Sequence, residues 1–326
     1  MTIAAEPVLE IRDLSVEFAT PRGAVKALRH VNLTVPAGRI VGVVGESGCG
    51  KTTLASAVLG LLARNARVSS GSIRFEGADI LGLSDARLRA IRGPRIAMVF
   101  QDPMTSLNPV MSIETQMIDI QYRDPAPRKT KRDRAIAMLR KVGIADPEQR
   151  IHDYPHRFSG GMRQRISIAM ALSMNPSLLI ADEPTTALDV TLEAQMIHLV
   201  RELRREFQGS ILFISHNLGL IAEVCDEVVV MYAGEVVEQA DVRTLFHGAR
   251  HPYSKLLLAC DPARIEQRAR SLPTIAGGVP DLSDLPEGCV FAARCPEAFE
   301  RCGVEPPPSY DVGAGHRVRC FLAARG

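Results

Sequence analysis

The chain has 326 residues, 46% of them hydrophobic and 23% charged, a length that suits about two domains and a composition that can bury a sizeable core. A net charge of +2 gives no electrostatic push toward nucleic acid, so no nucleic-acid partner is expected. The N-terminus lacks a basic start followed by an apolar run, and no apolar stretch reaches the roughly 18 residues needed to span a bilayer, so neither a secretory signal nor a membrane span is expected and the chain is placed in the cytosol.

Val8 to Phe18 alternates apolar and polar residues, which predicts a half-buried strand. After a turn at Pro21-Arg22-Gly23, Val31 to Val35 predicts a second strand and Arg39 to Val44 a short buried one. That strand runs directly into Gly45-Glu46-Ser47-Gly48-Cys49-Gly50-Lys51-Thr52-Thr53 and then into a helical pattern from Leu54 to Leu62. Residues from about 102 to 172 read as mostly helical, interrupted by an exposed loop from Tyr122 to Arg132. The basic run Arg128 to Arg134 contains Asp133 and no aromatics, so it reads as solvated surface rather than a nucleic-acid or lipid-headgroup patch. Ser177 to Ala181, Ser210 to Ser215 and Glu227 to Tyr232 predict three further buried strands. Strands alternating with helices predict an α/β core with a parallel sheet. Past about residue 245 the pattern loosens into Pro-, Gly- and Cys-containing sequence, expected to be a small C-terminal appendage.

Gly45-x4-Gly50-Lys51-Thr52 fits the P-loop pattern in full. Glycines let successive backbone N–H groups turn toward phosphates, and the helix that follows presents its positive end to them. Lys51 is expected to reach the β- and γ-phosphates of ATP and Thr52 to ligate Mg²⁺, while Cys49 fills a variable position. Leu178 to Ala181 ends in Asp182 and Glu183: the first is placed to hold Mg²⁺, the second to polarise an attacking water. Beside a phosphate loop, two acids after an apolar strand read as catalytic rather than as solvated charges.

Taken in order, these motifs resemble those of ABC-transporter ATPases over residues from about 8 to 245. Gln101, in Val99-Phe100-Gln101-Asp102-Pro103, looks like the Q-loop glutamine, which the resemblance also makes a Mg²⁺ ligand and a sensor of the membrane subunit. Phe158-Ser159-Gly160-Gly161-Met162 looks like the signature motif, with Met162 where most of the family has Gln, and Ala187-Leu188-Asp189 looks like the D-loop. His216 stands where the switch histidine belongs, and Phe18 matches the aromatic that stacks on adenine. The resemblance implies a RecA-like parallel-sheet core with an antiparallel β subdomain and an inserted helical subdomain. It also implies two cassettes sandwiching two ATP molecules head to tail, with Ser159, Gly160 and Gly161 of one subunit capping the γ-phosphate held by the other. The ATPase mate is the same chain or a paralogue, the partners are two transmembrane permease subunits and an extracytoplasmic solute-binding protein, and the chain sits peripherally on the cytoplasmic face of the membrane. Glu183, His216 and Lys51 are the implied catalytic residues.

His251-Pro252-Tyr253 resembles the segment found in dipeptide and oligopeptide permease ATPases, so residues 1–245 are expected to form the ATP-binding domain and 246–326 a Cys-rich C-terminal domain. Peptides are the expected solute, with nickel or glutathione as alternatives. Cys289-x5-Cys295-x6-Cys302-x17-Cys320 offers four thiols, enough for one tetrahedral metal or one cluster, without the Cys-x2-Cys spacing common in zinc sites. Similar spacings in this branch imply a [4Fe–4S] cluster; zinc and no metal are the alternatives. Non-transport ABC ATPases carry long coiled-coil insertions or two cassettes per chain, whereas one set of motifs is present here and about 130 residues separate Lys51 from Asp182.

Overall fold

A computed structural model of the chain describes residues 6–185, 193, 197, 200–202, 204, 206–261, 273–313 and 315–325. The chain divides into two units, one of residues 1–83 with 213–326 and one of 84–212. In chain order the first unit begins with β1 (Leu9–Thr20), β2 (Gly23–Val35), β3 (Ile40–Val44), α1 (Lys51–Leu59), β4 (Ala66–Phe75) and β5 (Ala78–Asp79). The second unit holds α2 (Asp85–Ile91), β6 (Ile96–Val99), α3 (Pro103–Ser106), α4 (Ile113–Asp119), α5 (Arg128–Lys141), α6 (Pro147–Arg150), α7 (Gly160–Leu172) and β7 (Leu178–Asp182). β8 (Ser210–Ile214) crosses the boundary, and β9 (Glu227–Tyr232), β10 (Glu235–Asp241), β11 (Tyr310–Asp311) and β12 (Arg317–Val318) follow. Among the described residues no helix is long and apolar enough to cross a membrane.

In the first unit β2, β1, β4 and β5 form an antiparallel sheet in that order. β3 pairs with β9 in parallel, from Val41 opposite Glu227 to Val44 opposite Val230. All five residues of β3 are buried, as expected of a strand covered on both faces. β10 continues this sheet antiparallel to β9, and β12 pairs antiparallel with β10. The strand at Ser210–Ile214 delivers Ser215, whose N–H donates to Val43 O at 3.1 Å. The chain end that carries His216 therefore lies beside the end of β3, two residues before the phosphate loop.

In the second unit β6 and β7 pair in parallel, Ile96 with Leu178 through Val99 with Ala181. The helices between them were expected, but one boundary differs. Arg128 to Arg134 is not loop: it forms the first two turns of α5. Pro127 occupies the N-cap position, and Arg and Lys are good helix formers, so a dense run of charge is compatible with helix here. Their charges are answered by Arg128–Glu114 at 3.5 Å and by an Arg134–Asp124 pair. Only Ala135 and Leu139 of α5 are buried, so its polar face is solvated, as expected.

The C-terminal segment of the first unit lies against β9 and β10. Tyr232, Tyr253 and Phe291 form one aromatic cluster, with ring centroids 4.7 to 5.3 Å apart. The short edge strands β11 and β12 extend the sheet, and two buried acids of β10 find their partners there. Glu235 pairs with Arg29 and, at 3.4 Å, with Arg319. Glu238 accepts from the backbone N–H of Arg250 (2.6 Å) and His251 (3.1 Å) and contacts His316 Nε2 at 2.7 Å. The helix Pro252–Ala259 starts with His251 as N-cap, its Nδ1 accepting from Tyr253 N–H at 3.0 Å, and with Pro252 in the first turn, where the missing N–H costs nothing. Burial, aided by the Lys255 charge, lowers the His251 pKa to about 3. The unfolded chain takes up this proton near pH 6.5 and the folded chain does not, so stability rises with pH across that window. The contribution is complete above about pH 6.5 and is lost as pH falls toward 3. Unfolding free energies of the wild type and His251→Asn from urea titrations should therefore converge between pH 7 and pH 4, by up to about 1.4 kcal/mol per pH unit. An equal gap at both pH values would show that His251 is not held neutral by the fold.

Candidate active site

The phosphate loop joins β3 to α1, and its backbone is one only glycine accepts at the key positions. Gly45 has φ +153°, and a Cβ there would stand 2.1 Å from Met231 O of the neighbouring strand. The helix starts at Lys51, three residues earlier than its apolar pattern suggests, and Gly50 is its N-cap at φ +104°. No side chain caps this helix, so its first N–H groups remain available to an anion. Lys51 is buried, and its Nζ donates to Gly45 O (2.7 Å) and Glu46 O (3.2 Å), folding the ammonium back over the loop. Thr52 is exposed and Thr53 half-buried, while Ser47 and Gly48 lie on the open side of the turn. Cys49 is 1% exposed, and burial pushes its thiol pKa up despite the Lys51 charge, so it is a filler and not a reactive thiol.

The loop is held from outside by three contacts that the sequence did not announce. Gly234 N–H donates to Cys49 O at 3.0 Å. Glu46 N–H donates to the Tyr253 hydroxyl at 3.0 Å, which fixes the role of the tyrosine in His251-Pro252-Tyr253. The Glu46 carboxylate receives both arms of Arg294, Nη1 to Oε2 at 2.8 Å and Nη2 to Oε1 at 3.1 Å. Arg294 is raised well above the usual guanidinium range, chiefly by this bond to Glu46, and the Tyr253 phenol is raised by burial. His216 is exposed at the chain end next to β3. Phe18 is half-buried on β1, paired with Val25 of β2 and Ala66 of β4.

The second unit carries the acidic and signature residues. Asp182, the last residue of β7, is 2% exposed. Glu183 follows at φ +46°, a left-handed backbone that a non-glycine residue adopts only at a cost of about 1 kcal/mol or more. Its Oε2 accepts from Gln101 Nε2 at 3.0 Å, so the structure brings these two site residues together. Asp102 caps α3, accepting from Met104 N–H at 2.8 Å. Ser159 caps α7, its hydroxyl accepting from Met162 N–H at 3.4 Å, which places Gly160 and Gly161 in the first turn. This is a thirteen-residue helix with a serine-led N-terminus, the form that suits an anion. Asp189 lies outside the described residues.

The C-terminal cysteines converge but do not coordinate. Cys289, Cys295, Cys302 and Cys320 line one small cavity, and all are free thiols. Cys289 N–H donates to Cys302 O at 2.8 Å. Gly288 allows that approach, since a Cβ there would stand 2.3 Å from the same oxygen. Burial raises the Cys289 thiol to about 11, and the neighbouring thiols add to the shift; Cys295 and Cys320 are raised mainly by burial as well. Four thiols sharing one cavity are the right donor chemistry for a cluster or zinc. However, among the described residues no three His, Cys, Asp or Glu side chains stand at ion-binding separations. The expected cluster is thus matched in donor set and not in coordination geometry.

Residues 28–186 match the family model described as ABC transporter, and residues 237–302 that described as oligopeptide/dipeptide transporter, C-terminal region. A probable peptide ABC transporter ATP-binding protein of Sinorhizobium fredii is 46% identical over 97% of this chain and 95% of its own length. The oligopeptide transport ATP-binding protein OppD of Salmonella typhimurium is 47% identical over 97% of this chain and 94% of its own. Among solved structures, the dimeric post-hydrolysis state of the ATP-binding cassette MJ0796 bound to ADP and Pi superposes with a TM-score of 0.64 at 25% identity, covering 72% of this chain and 99% of that one. With a glycine-built phosphate loop in one unit, an acid pair and serine-led helix in the other, and identity of this order along nearly its whole length, the chain belongs to the ABC transporter family as an ATP-hydrolysing, ATP-binding protein.

Proposed function

We propose that this chain powers uptake of di- or oligopeptides by hydrolysing ATP, with residues 1–245 as the cassette and 246–326 as a C-terminal part specific to peptide importers. The observation that carries the peptide reading is the His251-Pro252-Tyr253 segment, whose tyrosine hydroxyl binds the phosphate-loop backbone at 3.0 Å. It lies inside the stretch matching the C-terminal region of oligopeptide and dipeptide transporters. The working assembly pairs the cassette with a second one, itself or a paralogue, and with two transmembrane permease subunits and an extracytoplasmic binding protein. The chain sits on the cytoplasmic face of the membrane without spanning it.

In the proposed reaction water attacks the γ-phosphorus in line, and catalysis is positioning and electrostatics. The glycine loop and the N-terminus of α1 hold the phosphates through backbone N–H groups, and Lys51 leaves its loop carbonyls for the phosphate oxygens. Phe18 stacks on adenine. Glu183, released from Gln101, orients the attacking water and accepts its proton, while His216 holds the γ-phosphate. Ser159, Gly160 and Gly161 of the partner cassette close over that phosphate, and Asp189 acts across the same interface. Thr52, Gln101 and Asp182 supply the hard oxygen donors that suit Mg²⁺, which when bound neutralises phosphate charge. The four C-terminal thiols supply the donor set for a [4Fe–4S] cluster with a structural role, and zinc is the alternative metal.

Vesicles carrying the assembled complex should accumulate labelled di- and oligopeptides only when ATP is inside; accumulation of nickel or glutathione in place of peptides would redirect the solute assignment. Glu183→Gln should retain ATP binding while hydrolysis falls by about 10²-fold or more, the usual worth of a general base, and turnover at the wild-type rate would remove Glu183 from its role. Anaerobically purified protein should be brown, with broad absorbance near about 400 nm that is lost in the Cys289→Ser, Cys295→Ser double variant. Colourless protein, with or without stoichiometric zinc, would rule out the cluster.

A further inference from the structure

An acid in a phosphate-binding loop is an electrostatic contradiction. Glu46 is the first residue after Gly45, in a loop built to receive the charge of a triphosphate, and an unanswered carboxylate there would repel the ligand. The structure answers it from far along the chain. Arg294 lies 248 residues away, between Cys289 and Cys295, and forms a two-armed pair with Glu46. Its side chain is 5% exposed and its donors are saturated. Nε donates to Ala276 O at 2.9 Å, Nη2 to Ile275 O at 3.2 Å and Nη1 to the Tyr232 hydroxyl at 3.2 Å, besides the two bonds to the carboxylate. The guanidinium also stands 5.7 Å from the centre of the Tyr232 ring. A guanidinium fixed by five bonds has little freedom to move, so Glu46 is held where Arg294 puts it. The Tyr253 bond to Glu46 N–H secures the same residue through its backbone. The carbonyl of Glu46 completes the set, accepting from Cys49 N–H at 3.2 Å and from Lys51 Nζ.

We propose that Arg294 is a positioning residue for nucleotide: by neutralising and holding Glu46 it keeps the phosphate loop in its anion-accepting form, so that the C-terminal cysteine segment completes the ATP site. This rests on the reading of residues 45–53 as the phosphate loop. It accounts for a conjunction that packing alone does not require, since an apolar residue in place of Arg294 would fill the same space without burying a guanidinium. It also gives the cysteine segment a consequence for ATP: whatever fixes the backbone between Cys289 and Cys295 fixes the loop through one side chain.

The test is ATP affinity, and KM against kcat, in the full-length chain carrying Arg294→Gln, Glu46→Gln, both together, or Lys51→Ala. Arg294→Gln should weaken ATP binding by about tenfold or more and raise KM accordingly, with kcat changed much less. Glu46→Gln alone should weaken ATP binding less than Arg294→Gln does, because the repelling charge goes with the lost pair. The double variant should recover to within about threefold of wild type, which a purely structural arginine would not allow. Arg294→Gln binding within twofold of wild type, or a double variant as weak as the single, overturns the proposal. Should Arg294→Gln fail to fold, Arg294→Lys keeps the cation and loses the fork, and a KM raised severalfold at unchanged kcat is expected; an unchanged KM overturns it. Lys51→Ala should lose ATP in every case, and its retention at wild-type affinity would fault the phosphate-loop reading itself.

Discussion

A loop that binds phosphate must keep its backbone N–H groups uncommitted and yet hold still, and these demands conflict, because backbone left unbonded is ordinarily mobile. The first unit resolves the conflict by tying the loop down through atoms that do not face the ligand. Carbonyls do part of this: Gly45 O and Glu46 O take Lys51 Nζ, and Cys49 O takes Gly234 N–H. The Glu46 side chain and its N–H do the rest, bound by Arg294 and Tyr253. What is left unbound is the N-terminus of α1, uncapped by any side chain, which is the part that phosphate needs.

The second unit shows the opposite tactic, storing strain where chemistry is expected. Asp182 is an ordinary strand terminus, but Glu183 turns left-handed directly after it and gives its carboxylate to Gln101. A backbone in that region persists only when its surroundings over-determine it. The residue proposed to handle the attacking water is thus held by the glutamine proposed to sense the membrane subunit. That hydrogen bond occupies the Glu183 carboxylate, so the acid must leave Gln101 before it can meet water in the proposed role.

Some of this was plain in the residues and some was not, for physical reasons. β3 and β7 are continuous apolar runs, so both strands were legible, and the residues at their ends are those proposed to do the chemistry. Ser159 was legible as a cap because a serine before two glycines and a periodic apolar face has few other uses. β10 was not, because its sequence Glu235-Val236-Val237-Glu238-Gln239-Ala240-Asp241 looks like surface. Its two glutamates are buried against Arg29, Arg319 and His316, partners that no local pattern predicts. The same applies to Arg294: adjacency to Cys295 draws attention to metal chemistry, while its partner stands 248 residues earlier. Helical basic residues 128–134 failed in the other direction, since charge density suggested a loop where propensity favoured a helix.

The C-terminal residues are therefore not an attachment in the energetic sense, whatever their metal content. Glu238 has no exposed side-chain surface, and among the described residues it is met by groups from Arg250 onward: two backbone N–H donors and the His316 ring. Losing the His316 ring alone would leave the buried carboxylate one hydrogen bond short, at a cost of about 1–3 kcal/mol. β10 is paired to β9, and β9 is paired to β3, which carries the phosphate loop. That ladder, and the Arg294–Glu46 pair, are the two routes by which the tail touches the elements that carry the ATP-binding loop. The first fifty residues build the loop, and Gly234, Tyr253 and Arg294 supply the N–H, hydroxyl and guanidinium that bind it from outside.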